Sequence, residues 1–255
     1  MTEWLEKESL HYIVHYKKDS FAHKNIFQIM EEQEQRIYEI FCYFPVILPR
    51  KIEYWLCDTR EEIAKLADYE PTNGLFCWDD DEPEKVSIYA VYNETMHCTG
   101  YHEETHAVVH FLNEPTSSAM AEGVAVFMDK TWWGVDIHLC TYLYYRAGKY
   151  VSVEKLICNK QENGDEFFWS IDCAISYPCM GAFVAFLFSK VKNGINTFVS
   201  LYQYQEDNWK KEIERIYECS FSELEVEFLN YINSKEYTEM EIELAKERLN
   251  LKSYL

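Results

Sequence analysis

The pentapeptide His102-Glu103-Glu104-Thr105-His106 constrains this chain more than any other stretch. Its neighbours Tyr101, Ala107, Val108, Val109, Phe111 and Leu112 are apolar, as in a buried helix rather than a solvated one. Burying two imidazoles and a carboxylate there is costly unless they are paired or bound to a metal. A helix sets residues four apart on one face, one turn from each other, so His102 and His106 can both reach one Zn²⁺. The bonds required are about 2.0–2.1 Å long. Glu103 points to the adjoining side, where it suits a general base better than a ligand. A catalytic zinc needs three protein ligands and one open position. Glu122, in Ala121-Glu122-Gly123 on a second helix, is the candidate third ligand, with fifteen residues between it and His106. A break at Asn113-Glu114-Pro115-Thr116-Ser117-Ser118 separates the two helices. The competing reading is a chance pentapeptide in a chain with 8 His and many Glu, and the apolar flanks argue against it.

A chain of 255 residues, 48% hydrophobic and 16% aromatic, can build a sizeable core and is not globally disordered. It is read as a single domain, 1–255, of two lobes. The net charge of −20 repels phosphate backbones, so neither nucleic acid nor an anionic membrane is an expected partner. Nine cysteines, odd in number and without a Cys-x-x-Cys, indicate neither a disulfide framework nor a thiolate zinc site. The amino terminus, Met1 to Glu8, is charged and has no apolar h-region. No apolar run approaches the length of a membrane span, Phe183 to Phe188 being the most apolar. A reducing, cytoplasmic compartment is the expectation; nothing indicates the oligomeric state.

Periodicity predicts a strand at Leu10 to Tyr16, with His11 and His15 on one half-exposed face. A long amphipathic helix follows from Ala22 to Phe44, ended by Pro45. Ile52 to Cys57 reads as a strand and Arg60 to Tyr69 as a helix capped by Asp58 or Thr59. Pro71-Thr72-Asn73-Gly74 is a turn signal, Leu75 to Trp78 a short strand, and Asp79 to Glu84 a solvated acidic loop. Val86 to Tyr92 is a strand just before the zinc helix, which is expected over 97–112. From Thr95 the chain reads almost entirely helical: 117–130, 136–147, 152–158, 175–192, 194–204, 208–218, 221–233 and 236–250. The fold class is therefore α+β, a mixed N-terminal sheet lobe with flanking helices (1–95) followed by a mostly α-helical lobe (96–255).

This order of parts resembles the gluzincin zinc metallopeptidases, and within them the peptidase-MA-like group related to thermolysin and the zinc aminopeptidases. The matching motifs are His102-Glu103-Glu104-Thr105-His106, Ala121-Glu122-Gly123-Val124-Ala125-Val126-Phe127, and Tyr177-Pro178-Cys179-Met180-Gly181-Ala182-Phe183-Val184-Ala185-Phe186-Leu187. The resemblance implies a zincin-like fold with the active site between the lobes, and zinc-dependent hydrolysis of a peptide or protein substrate. It implies His102, His106 and Glu122 as ligands and Glu103 as general base. By position in the last motif it implies Tyr177 as the donor to the tetrahedral oxyanion. The metzincin pattern does not apply, because its glycine and third histidine positions are Val109 and Leu112 here. His110 is read as a packing or supporting histidine. Val126 stands where thermolysin-like enzymes carry an aspartate, for which Asp129 is the substitute, and the Gly-rich strand of the aminopeptidases is absent. The strand Val86 to Tyr92 is expected to pair with an extended substrate. Two other readings stay open: a catalytically silent binding module of the same fold, and a zinc hydrolase acting on a non-peptide bond.

Overall fold

The computed structural model of this chain describes residues 3–112, 117–190, 194–204 and 208–251. The expected break at 113–116, the expected helix end at 191–192 and the first two residues lie outside the described residues. The protein is a mixed α/β chain with an N-terminal mixed sheet and a helical C-terminal region. It divides into two compact units, 1–112 and 113–255.

In the first unit the chain runs through β1 (Trp4–Glu8), β2 (Tyr12–Lys17), α1 (Phe21–Tyr43), β3 (Ile52–Cys57), α2 (Arg60–Ala67), β4 (Gly74–Trp78), β5 (Val86–Val91) and α3 (Tyr101–Val109), then a 3₁₀ turn at His110–Leu112. The five strands lie in the order β1-β2-β3-β5-β4. β2, β3 and β5 are parallel, and β1 and β4 run antiparallel along the two edges. Period-two alternation sends Tyr12, Val14, Tyr16, Ile52, Tyr54, Leu56, Val86, Ile88 and Ala90 to one buried face. Register aligns them in rows, Val14 beside Tyr54 and Tyr54 beside Ile88. α1, capped by the Ser20 hydroxyl accepting from the His23 amide, presents Ile26, Ile29, Met30, Ile37 and Ile40 to the interior. On the other face His15 stacks on Trp55 at 3.9 Å and bonds Glu53. His11 bonds Glu34 of α1 at 2.7 Å.

Two expectations change here, and one strand lies outside the sequence reading. β1 is a strand although it carries Glu6, Lys7 and Glu8, and such charges are what a solvated edge tolerates. Gly74 belongs to a strand, paired with Ala90, rather than to a turn. β5 is an interior strand with β3 on one side and β4 on the other, so it cannot add a substrate strand. Among the described residues β4, like β1, pairs on one side only, and it is the edge that packs against α3, which makes it the one available for such pairing.

The second unit contains α4 (Ser118–Asp129), a hairpin of β6 (Thr131–Trp132) and β7 (Val135–Asp136), then α5 (Ile137–Arg146), α6 (Val153–Cys158), a 3₁₀ turn at Phe167–Ser170, α7 (Cys173–Lys190), α8 (Gly194–Tyr202), α9 (Trp209–Tyr217), α10 (Phe221–Asn233) and α11 (Glu239–Arg248). The hairpin escaped the sequence reading because two-residue strands show no alternation. Its turn uses Trp133 and Gly134, both at positive φ, as a two-residue hairpin loop requires. α7 is by length and composition apolar enough to cross a membrane, contrary to the reading of the sequence, but most of it is buried inside the protein. Its principal partners are α4 and α5.

α4 and α7 cross at two glycines. A Cβ at Gly181 would meet Val126 Cγ1 at 2.6 Å, and one at Gly123 would meet the Met180 carbonyl at 3.1 Å. Val126 is stiff and fully buried, so it cannot swing aside. Gly181→Ala is expected to destabilise the protein by about 1–3 kcal/mol, the usual cost of overpacking a close crossing. Urea unfolding checks this, and an unchanged midpoint would show that the crossing has slack.

Candidate metal centre

α3 starts at Tyr101, four residues later than the sequence suggests, because Tyr92 and His97 form an antiparallel bridge ahead of it. Glu103 and Glu104 lie in its first turn, where the helix dipole favours carboxylates. His102 and His106 stand one turn apart, ring centroids 5.0 Å from each other and half-buried. Phe76 of β4 lies parallel to the His106 ring at 6.2 Å. His110 is held elsewhere: its Nε2 lies 3.0 Å from the Pro83 carbonyl and its ring packs on Trp78.

The opposite side of α3 is anchored to α1. Glu104 is 0% exposed, and Arg36 donates to it through Nη2 at 2.9 Å and Nε at 3.1 and 3.2 Å. Burial opposes the charge on Arg36, but the Glu104 carboxylate more than offsets it and raises its pKa above the ordinary value. Burial, and then Glu104, raise Tyr12 and Tyr54 well above the usual phenol range, so both stay neutral beside the pair. Tyr101 adds a second tie, its hydroxyl donating to Glu39 at 2.8 Å.

α4 carries Glu122 on its half-buried side, while Gly123 and Val126 face α7. Its first turn is fixed by Glu166, whose carboxylate accepts from the Ser118 amide at 3.0 Å and from its hydroxyl at 3.0 Å. His102 and His106 present two imidazoles on one side of α3, and Glu122 of α4 is the carboxylate that the sequence adds as third ligand. Tetrahedral bonds of about 2.0–2.1 Å put ligand atoms roughly 3.4 Å apart, a spacing that two histidines one helical turn apart can meet. Two neutral imidazoles and one carboxylate suit a borderline-soft divalent ion, and the residues fit zinc.

Glu103 contacts β4, its carboxylate lying over Gly74. Burial, and then the Glu103 carboxylate, push up the Cys77 thiol pKa, so Cys77 stays neutral. Tyr177 lies within α7, not at its start, among the rings of Trp132 (4.9 Å) and Phe168 (5.5 Å). Asp129 is the last residue of α4, two turns beyond Glu122.

Sequence reasoning missed Glu104, Arg36, Glu166 and Gly74. Glu104 was within reach, since helical spacing groups it with the buried Ala107 and Val108 rather than with the histidines. No local pattern identifies Arg36 as its partner, 68 residues away. No protein-family model, curated protein or solved structure matches this chain.

Proposed function

We propose that this protein is a zincin-like, zinc-dependent hydrolase of peptide bonds, with His102, His106 and Glu122 as metal ligands and Glu103 as general base. The two imidazoles one turn apart on α3, ring centroids 5.0 Å from each other, carry this reading. The half-buried histidines and the edge strand β4 beside them support it. When bound, the zinc supplies a Lewis acid that acidifies water and polarises a carbonyl.

The protein's own groups do the rest. Glu103 takes the proton from the attacking water and delivers it to the leaving amine. An extended peptide pairs with the outer edge of β4, which delivers its backbone to the His102–His106 side of α3. Tyr177 is the proposed donor to the oxyanion, from within α7.

Metal analysis of purified wild type and Glu122→Ala tests the ligand set. About one zinc per chain is expected in wild type, with affinity weakened at least about 100-fold in the variant, since lost supporting contacts alone cost 10–100-fold. A wild type that takes up no zinc on reconstitution would sink the proposal.

A further inference from the structure

We infer that Gly74 is a positioning residue whose missing side chain sets where the Glu103 carboxylate stands. This rests on the proposed role of Glu103 as general base. Gly74 opens β4 and pairs with Ala90, its carbonyl accepting from the Thr72 hydroxyl at 2.9 Å. Its φ lies outside the left-handed region, so backbone conformation does not call for glycine. Glycine within a strand weakens it by roughly 0.5–1 kcal/mol relative to alanine, and it often marks a close approach. Here the approaching group is Glu103. A Cβ on residue 74 would stand 2.7 Å from Glu103 Oε1, 3.1 Å from its Cγ and 3.2 Å from its Cδ.

The nature of those atoms decides the consequence. All three belong to a flexible carboxylate side chain and none to backbone, so an added methyl displaces the carboxylate rather than the fold. Ordinary contact requires the carboxylate to withdraw by at least roughly half an ångström. Misplacing a catalytic group by about an ångström can cost about 100-fold in rate. Gly74 thus fixes one wall of the space in which the base moves, from a strand on which sequence gives it no chemical role. Alanine at 74 has ordinary strand geometry and lowers the entropy of the unfolded chain, so the fold is not expected to suffer.

The test is a double-mutant cycle of Gly74→Ala with Glu103→Asp, whose shorter side chain leaves room for the methyl. Zinc content, thermal unfolding, crystal structures and cleavage of fluorescein-labelled casein are measured for wild type, both single variants and the double variant. Gly74→Ala is expected to keep its zinc and its melting temperature, with the Glu103 carboxylate displaced and β4 in place. Its kcat is expected to fall roughly 10- to 100-fold with little change in KM. In the Glu103→Asp background the same substitution is expected to cost less than about 3-fold, because the clash is gone. Equal losses in both backgrounds, or a Gly74→Ala crystal structure in which the carboxylate holds and β4 moves, would overturn the inference. A wild type without zinc or without cleavage would instead count against the proposed function, and the displacement seen in the crystal would still decide the part played by Gly74.

Discussion

Glu103→Gln is expected to retain its zinc and to lower kcat by about 10²–10⁴-fold, the usual contribution of a positioned general base. Each tenfold is about 1.36 kcal/mol, so the loss amounts to about 2.7–5.4 kcal/mol of barrier. The amide keeps the shape of the carboxylate and its place over Gly74 but cannot take up a proton. Because Glu103 is not among the three proposed ligands, metal content should match wild type. That separation distinguishes an enzyme from a silent binding module, in which the substitution changes neither metal nor partner affinity. Steady-state cleavage of labelled casein, beside zinc analysis of the same samples, makes the measurement. Turnover within about tenfold of wild type would remove Glu103 from the role of base.

Arg36→Met is expected to destabilise the protein by about 3–5 kcal/mol, because it leaves the Glu104 carboxylate buried and without its cation. Glu104 is 0% exposed and takes donors from both the Nε and Nη2 of Arg36, so water cannot replace the lost partner. Domains of this kind are stable by only about 5–15 kcal/mol, and the loss is a large share of that. Arg36→Met with Glu104→Met should recover most of it, since an apolar pair of similar volume removes the desolvation cost. The exposed pair Arg215–Glu212 provides the contrast, with Arg215→Ala expected to cost less than about 1 kcal/mol. Urea unfolding of these three variants beside wild type makes the comparison. An Arg36→Met cost below about 1 kcal/mol would mean that Glu104 is not held as an ion there. The pair matters for the site because the helix that carries His102, Glu103 and His106 is fastened to α1 through it.

The stretches that were legible in the sequence are those whose physics is local. Ile52–Cys57 and Val86–Val91 alternate or run apolar with β-branched residues, and both are strands. The stripe of α1, Ile26, Ile29, Met30, Ile37 and Ile40, is a helical period read directly from spacing. The cap at Thr59, one of the two candidates there, is equally local, its hydroxyl accepting the Glu62 amide three residues on. β1 was not legible because an edge strand half in water needs no apolar period, and what makes it a strand is its partner β2. The turn signal at Asn73-Gly74 misled because glycine answers both a backbone demand and a steric one, and only the position of Glu103 shows that the second applies.

The sequence by itself determined the helix bearing His102, Glu103 and His106, the helix bearing Glu122, and the mixed sheet ahead of them. Periodicity and caps act within a few residues, and a four-residue spacing fixes a shared helix face whatever the rest of the chain does. Only the tertiary structure decided that Glu104 turns inward to Arg36, that β4 rather than β5 forms the sheet edge, and that Gly74 makes room for Glu103. Each of these depends on which distant segment fills the space beside a residue, and packing at contact distance, unlike hydrogen bonding within a helix, leaves no periodic trace in the chain.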